Sequence, residues 1–245
     1  MIYYGLAITG TDTGVGKTEL GCGLARAFKE QGIKVGVFKP VETGCKKHRG
    51  MLIGEDAQRL IQASGAGLKM DEVAPYRFSL PSAPLSAARA EGKEILFEKI
   101  FQVFDELAGE FELMLVETAG GLLVPVNDNF LFADLLKPMN LPVLIVAEDR
   151  LGVINQVLLT IESARSRGLQ ILGVILNQTK PGRVPAKLLN AELIEKFGRA
   201  RVLSRIPYLK TKDRERKILK VCQKLALELM PEIKEFGKKS VLKYI

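Results

Sequence analysis

Six short apolar segments recur along the chain, and longer segments with helical periodicity separate them. The apolar segments are Ile2–Thr9, Val35–Phe38, Leu113–Val116, Val143–Ala147, Ile171–Leu176 and Arg201–Ile206. The helical segments include Lys17–Gln31, Glu94–Ala108, Val153–Arg167 and Lys187–Phe197. Because the apolar segments do not alternate with polar residues, they are typical of strands buried on both faces. The pattern predicts an α/β fold with a doubly wound, mainly parallel β-sheet flanked by helices.

The first predicted strand runs directly into GTDTGVGKT at 10–18, where a helical pattern begins. A glycine-rich turn between a strand and a helix lets backbone N–H groups surround a phosphate. Lys17 would then reach the β- and γ-phosphates, and the Thr18 hydroxyl would ligate Mg²⁺. Thr11 holds the usual place of the first glycine and Gly10 lies one residue earlier, so the loop is a lengthened variant. This order of elements predicts a fold of the P-loop NTPase type, with a turn that binds no ligand as the alternative.

Two carboxylates stand where a phosphate site would need them, since Mg²⁺ is usually held by one or two protein oxygens plus phosphate. Glu117 ends a predicted strand before flexible glycines, as a Walker B carboxylate does. An acid turning into solvent is the alternative. Asp56 lies where a helix is predicted to begin, and its charge could instead only stabilise the helix dipole.

A third charged residue follows the second predicted strand. Lys39 precedes Pro40, which favours an extended backbone for the lysine. Because the carboxyl ends of parallel strands face one crevice, Lys39 would join Lys17 there and favour an anionic substrate or transition state. The alternative is a solvated surface lysine.

The distribution of charge and of cysteine limits the cellular setting. The formal net charge is +8, but residues 1–179 carry −3 and residues 180–245 carry +11. Cys22, Cys45 and Cys222 form no CxxC pair and have no metal-ligand spacing, which suits reduced thiols. The N-terminal segment lacks a basic region and a cleavage site, and no apolar stretch reaches the roughly 20 residues that span a bilayer. We expect a cytoplasmic protein.

Several motifs occur in one order along most of the chain. They are GTDTGVGKT at 10–18, KPVETG at 39–44, EDA at 55–57, PYRFSLPSAP at 75–84, VETAGG at 116–121, RLGVINQ at 150–156, GVILNQ at 173–178 and RIPYL at 205–209. From Gly5 to about Leu209 the sequence resembles the dethiobiotin synthetase family, ATP-dependent enzymes that close the ureido ring in biotin synthesis. The lengthened P-loop is also found in this family.

The resemblance implies a set of site residues. It implies Lys17 and Lys39 as catalytic residues. It implies Mg²⁺ ligands at Thr18, Asp56 and Glu117. It implies a nucleotide site formed by Thr13, Gly14, Val15, Gly16, Lys17 and Thr18, with Asn177 and Pro207 at the adenine; without the resemblance, Asn177 would be read as a turn residue. Substrate contacts are implied at Thr11, Lys39 and Thr43, and the substrate carboxylate is held across a homodimer interface by Leu151, Gly152, Val153 and Asn155.

The sequence departs from the family at two places and holds one histidine. Thr118 stands where many members have glycine, and we expect it to narrow the space near the γ-phosphate. Leu85 stands where histidine is often found, so no function is assigned to that position. His48 lies in a charged loop and is expected to be solvated.

The implied substrates are 7,8-diaminopelargonic acid, CO₂ and ATP, with Mg²⁺ as cofactor and neither nucleic acid nor membrane as partner. The main alternative is a P-loop ATPase of the division-site or partition type, which cycles on a membrane or on DNA. That group has a second lysine early in the P-loop, where this chain has Thr11, Asp12 and Thr13. A binding module without turnover is a third possibility, and the set of phosphate and Mg²⁺ residues counts against it.

The basic C-terminal region has a regular apolar pattern. Apolar residues recur there at spacings of three or four: Ile218, Cys222, Leu225, Leu229, Ile233 and Phe236. This spacing predicts an amphipathic helical extension over residues 210–245, packed on a catalytic domain formed by residues 1–209, as two helices that meet at Pro231. Its lysines and arginines are expected on a solvated outer face, with a surface that binds polyanions as the alternative.

Overall fold

The computed structural model describes residues 4–181 and 189–241. In these ranges the strands are β1 Tyr4–Gly10, β2 Val35–Phe38, β3 Val41–Glu42, β4 Lys46–His48, β5 Met51–Ile53, β6 Tyr76–Arg77, β7 Leu113–Glu117, β8 Val143–Glu148, β9 Ile171–Asn177 and β10 Val202–Ile206. The helices are α1 Lys17–Glu30, α2 Glu55–Ser64, α3 Met70–Val73, α4 Pro84–Ala90, α5 Phe97–Ala108, α6 Phe132–Met139, α7 Val153–Ser166, α8 Asn190–Gly198 and α9 Thr211–Val241.

The central sheet has the strand order β10-β9-β8-β1-β7-β2, and every neighbouring pair is parallel. The six apolar segments form these six strands, so the predicted α/β fold with a parallel sheet is confirmed. β1 lies between β7 and β8, and the chain passes to opposite sides of it, which makes its carboxyl end a switch point where ligands bind in such sheets.

The predicted helices are also confirmed, with small differences at their ends. The segment Glu94–Ala108 begins three residues later as α5, and the segment Lys187–Phe197 is α8 from Asn190 onward. The first two residues of that second segment lie outside the described residues, as do the first two residues of the first predicted strand.

Successive strand residues point to opposite faces of the sheet, and each face carries its own apolar core. Leu6 and Ile8 of β1 pack with α1, α2 and α9 on one face, whereas Ala7 packs with α5, α6 and α7 on the other. Because helices cover both faces of the strands, a site can form only at the strand ends, from the residues that follow each strand.

Helix α9 corrects one prediction. It is continuous through Pro231 rather than two helices that meet there. An interior proline costs about 3 kcal/mol or more. However, Leu229 and Ile233 on either side are fully buried, and burial of such side chains contributes roughly 1.5–3 kcal/mol each, so packing holds the helix together. The predicted apolar face is confirmed, since the residues from Ile218 to Ile233 in that pattern are buried.

Two smaller features complete the fold. β3 pairs with β6, and β4 pairs with β5 in a hairpin that contains the exposed His48, where the sequence suggested a loop. Among the described residues, no helix is both long enough and apolar enough to cross a membrane.

Candidate active site

The glycine-rich loop joins the buried end of β1 to the first turn of α1. Gly16 caps α1 with a φ of 96°, a left-handed conformation that favours glycine. A Cβ atom built on Gly16 would lie 2.2 Å from Nδ2 of Asn177, so a side chain is also excluded by close packing. The loop therefore has the backbone form in which N–H groups converge on an anion.

Lys17 points back over this loop. Its ammonium group donates a hydrogen bond of 3.0 Å to the backbone oxygen of Asp12. Burial lowers the pKa of Lys17 to about 8, against the opposing effect of the Glu117 carboxylate. The lysine is thus a desolvated cation held inside the loop.

Lys39 lies between the two predicted carboxylates. Its Nζ donates hydrogen bonds of 2.6 Å to Oε1 of Glu117 and 2.9 Å to Oδ2 of Asp56. Burial opposes the charged form of Lys39, but the two carboxylates outweigh it and hold the pKa above its ordinary value. For Asp56, burial would raise the pKa, yet Lys39 lowers it below its usual range. Lys39 is buried and paired, which excludes the solvated surface lysine.

The residues present fit a magnesium ion bound with phosphate. Thr18 donates a hydrogen bond of 2.7 Å to Oε1 of Glu117. The other oxygen of Glu117, Oε2, is buried and has no hydrogen-bond partner in the described chain. A buried carboxylate oxygen without a partner is costly unless it binds a ligand. Mg²⁺ is usually held by one or two protein carboxylates together with phosphate oxygens, and the residues here offer that number of ligands.

Glu42 is a residue at the site that the sequence analysis did not single out. Its carboxylate accepts hydrogen bonds of 2.9 Å from the backbone N–H groups of Asp56 and Ala57. It thereby caps α2, whose own N-cap residue, Gly54, makes no side-chain cap. Burial raises the pKa of Glu42. This contact fixes the helix turn that carries Asp56; in sequence its only signal was a place in the motif KPVETG.

An open cleft of about 1300 Å³ lies over the loop. The predicted nucleotide, metal and catalytic residues that line it are Thr13, Gly14, Gly16, Lys17, Thr18, Lys39, Asp56 and Glu117, and the predicted substrate contact Thr43 lines it as well. The start of α9 also lines it through Arg214 and Glu215, preceded by the segment from Tyr208 to Lys210. The C-terminal helix therefore borders the cleft, which the sequence analysis did not predict.

Other predicted residues lie beside the cleft lining or away from it. Val15 is buried, and its backbone oxygen accepts a hydrogen bond from Asn177. Thr11 has a buried hydroxyl without a partner among the described residues. Asn177 is also buried, and Pro207 is exposed next to the lining residue Tyr208.

The predicted carboxylate-binding segment is separate from these residues. Gly152 is the N-cap of α7 with a φ of 91°, Val153 is buried, and Asn155 is exposed. Leu151 is 84% exposed. None of the four belongs to the cleft lining of this chain.

Thr118 does not narrow the cleft as we expected. It is fully buried, and its hydroxyl shares a hydrogen bond of 3.1 Å with Thr9 and donates one of 2.9 Å to the backbone oxygen of Gly120. Thr118 follows Glu117 directly, and successive residues of an extended chain point to opposite faces. Its side chain therefore contacts Thr9 and does not line the cleft. Leu85, the other departure, is half-buried in α4 and also lies outside the cleft lining.

The chain matches a family model and several known proteins. Residues 4–216 match the family model described as AAA domain. An ATP-dependent dethiobiotin synthetase BioD of Anaeromyxobacter dehalogenans is 41% identical over 206 residues, covering 83% of this chain and 90% of that protein. Proteins with the same description from Aquifex aeolicus and Bacillus subtilis are 41% and 34% identical, covering 78% and 92% of this chain and 84% and 96% of their own lengths.

Solved structures share the fold at lower identity. The MinC:MinD cell division protein complex of Aquifex aeolicus matches with a TM-score of 0.59 and 19% identity, over 93% of this chain and 96% of that one. A ParA family ATPase from Chlorobium tepidum matches with a TM-score of 0.54 and 14% identity, over 97% and 98%. At these identities the similarity shows the fold alone.

Proposed function

Because this chain belongs to the ATP-dependent dethiobiotin synthetases of biotin biosynthesis, we propose that it converts 7,8-diaminopelargonic acid, CO₂ and ATP to dethiobiotin, ADP and phosphate. In reaction class it is a carbon–nitrogen bond-forming cyclo-ligase. The observation that carries the proposal is the convergence of Lys17, Lys39, Asp56 and Glu117 on one P-loop cleft.

The reaction proceeds in three steps. One amine of the substrate adds to CO₂ and loses a proton, which gives a carbamate. A carbamate oxygen then attacks the γ-phosphorus and ADP leaves, which gives a carbamic–phosphoric anhydride. The second amine attacks the carbonyl carbon and loses a proton, the five-membered ring closes, and phosphate leaves with the oxygen that joined it to carbon.

This chemistry needs alignment and cancellation of negative charge more than covalent help from the protein. The loop N–H groups and Lys17 hold the β- and γ-phosphates. Lys39 stabilises the charge that develops on the carbamate and phosphoryl oxygens, and Thr43 lies in the cleft lining where the diamine and its carbamate bind. Thr11, whose buried hydroxyl has no partner in the described chain, is proposed as a further substrate contact.

Thr18, Asp56 and Glu117 would hold Mg²⁺. When bound, that ion would neutralise negative charge on the β- and γ-phosphate oxygens. The partnerless oxygen of Glu117 supports this assignment. Lys39, which pairs with Asp56 and Glu117, would share these two carboxylates with the ion and supply a second positive charge at the site.

The remaining assignments rest on the family. Asn177 and Pro207 are proposed to contact the adenine. The start of α7, Leu151–Asn155, is proposed to bind the carboxylate of the substrate that lies in the cleft of the partner subunit of a homodimer. The exposed Leu151 and the separation of this segment from the cleft of its own chain are compatible with that arrangement. Three buried free cysteines suit a reducing cytoplasm.

One assay tests the proposal. ATP hydrolysis is measured with and without the diamine plus bicarbonate, with Mg²⁺ present or omitted, and dethiobiotin is followed by mass. We expect product and ADP in equal amounts, and only when all components are present. ATP hydrolysis without product, stimulated by DNA or by liposomes, would favour the partition-type ATPase instead.

A further inference from the structure

Arg214 is a buried cation in helix α9, where several neighbouring charged side chains are exposed. It is 8% exposed, whereas the neighbouring Arg216, Lys217 and Lys220 are exposed. It also lies in the first turn of α9, where the helix dipole disfavours positive charge. Burial and the helix dipole both disfavour the charge of Arg214 at this position, so its contacts with other groups must stabilise it.

Those contacts reach the nucleotide side of the sheet. The guanidinium group donates to both carboxylate oxygens of Glu19 at 2.7–3.1 Å, in a forked ion pair with the first turn of α1. It also donates 3.0 Å to the backbone oxygen of Gln178 and 2.9 Å to Oδ1 of Asn177. A planar fork suits several acceptors at fixed angles, which the flexible ammonium of lysine does not reproduce.

The contact with Asn177 determines how that amide faces the P-loop. With Oδ1 held by Arg214, Nδ2 points to the loop and donates 2.8 Å to the backbone oxygen of Val15. Exchange of the two amide atoms would leave two donors facing each other at Arg214 and two acceptors facing each other at Val15, so only one orientation satisfies both ends. An unbroken series of hydrogen bonds thus joins α9 to the loop.

The end of this series lies where the loop is most constrained. Val15 precedes Gly16, whose left-handed φ of 96° aims the following N–H groups at the phosphate position. The Asn177 amide packs so closely on Gly16 that a Cβ atom would have no room. Loss of the Asn177 orientation would therefore release the backbone that binds phosphate.

We propose that Arg214 is a positioning residue for ATP, which acts through Asn177 to hold Val15 and Gly16 in their phosphate-binding conformation. This inference rests on the proposed function of the cleft. It makes the first turn of the C-terminal helix part of the nucleotide site. Because Asn177 contacts the loop through the backbone oxygen of Val15, the effect on the loop applies to any ligand that presents a triphosphate, with or without a base.

The test compares Arg214→Gln with wild-type protein by calorimetric titration of Mg²⁺-ATP and of Mg²⁺-tripolyphosphate, a probe without a base. We expect the affinity for tripolyphosphate to fall on the order of 10-fold, as for the loss of charge-assisted hydrogen bonds. The affinity for ATP should fall by at least the same factor, because Asn177 is also proposed at the adenine. Arg201→Gln is the matched control. Arg201 ties α9 to the body through Glu228 and Glu232 but makes no contact with the loop, so its loss should leave both affinities unchanged.

Two results would overturn the proposal. The first is that Arg214→Gln binds both probes as tightly as Arg201→Gln does. The second is that Arg214→Gln loses affinity for ATP but not for tripolyphosphate, since Arg214 would then affect binding of the adenine and not of the phosphates. If Arg214→Gln does not fold, Arg214→Lys keeps the charge without the fork, and the same two comparisons apply to it.

A double-mutant cycle separates positioning from general stability. If Arg214 acts through Asn177, Arg214→Gln should add almost nothing to the affinity loss of Asn177→Ala. Additive losses would contradict the proposed route. Because these measurements concern nucleotide binding alone, they remain interpretable even if dethiobiotin is not the product.

Discussion

Replacement of Lys39 by glutamine should cost the protein both stability and activity. The lysine and Glu117 are 4% and 2% exposed in their side chains and lie 2.6 Å apart, so they form a buried ion pair. Removal of one partner of such a pair leaves an uncompensated buried charge and costs about 3–5 kcal/mol. For a chain of this size each kcal/mol corresponds to roughly 2–4 °C, so the melting temperature should fall by about 10 °C.

The double variant Lys39→Gln/Glu117→Gln separates the two effects. It removes both charges of the pair. The charges that remain beside them are Asp56, which is more exposed, and the buried Lys17. We expect the double variant to regain most of the lost stability, measured by urea unfolding, while turnover stays about 10²–10³-fold below wild type because the positive charge at the reacting centre is gone.

Lys46→Gln is the matched control for the loss of a lysine. Lys46 pairs with Glu55 at 3.2 Å, but both side chains are largely exposed, so the change should cost less than about 1 kcal/mol. A Lys39→Gln protein as stable as Lys46→Gln, or a double variant no more stable than Lys39→Gln alone, would refute the reasoning. Unchanged turnover in Lys39→Gln would remove Lys39 from the mechanism.

Three further changes test the assembly of the site. Glu117→Ala should raise the Mg²⁺ concentration needed for half-maximal activity by about 10-fold or more. If the variant needs no more Mg²⁺ than the wild-type protein, Glu117 does not bind the ion. Glu42→Ala should cost about 1–2 kcal/mol by uncapping α2 and should also lower activity through Asp56; the exposed Glu55→Ala on the same turn is the control, and equal unfolding midpoints would count against a capping function. Gly16→Ala should abolish ATP binding in a titration, because the added Cβ atom would meet the Asn177 amide. Gly14→Ala is the control, since it has the same left-handed strain of about 1–2 kcal/mol but nothing within 4 Å of the added atom. Similar ATP binding by the two variants would show that backbone strain alone matters.

The sequence was sufficient to predict the sheet and several of the residues that meet at the carboxyl ends of its strands. Buried parallel strands give uninterrupted apolar segments, and the functional residues follow them directly, as Lys39 follows β2 and as Glu117 ends β7. Topology then brings these strand ends together without any further information. This is why Lys17, Lys39 and Glu117 could be named before their contacts were seen, whereas Asp56, in the first turn of α2, was assigned as a Mg²⁺ ligand only from the family resemblance.

Contacts between distant elements could not be predicted in the same way. Glu42 and Arg214 look in sequence like ordinary surface charges, because a carboxylate that caps another helix or a buried arginine has no periodic signal. The contact of Arg214 with Glu19 spans 195 residues and depends on α9 packing across α1. The continuous path of α9 through Pro231 has the same origin, since the burial that offsets the proline appears only when the sheet is assembled.

Oxygen tracing from labelled bicarbonate tests the proposed reaction most directly. Bicarbonate that carries ¹⁸O is supplied with ATP, Mg²⁺ and the diamine for times short enough to limit exchange with water, and both products are analysed by mass. If a carbamate oxygen attacks the γ-phosphorus, one labelled oxygen should appear in the released phosphate and one in the ureido carbonyl of dethiobiotin. Labelled dethiobiotin together with unlabelled phosphate would contradict the account.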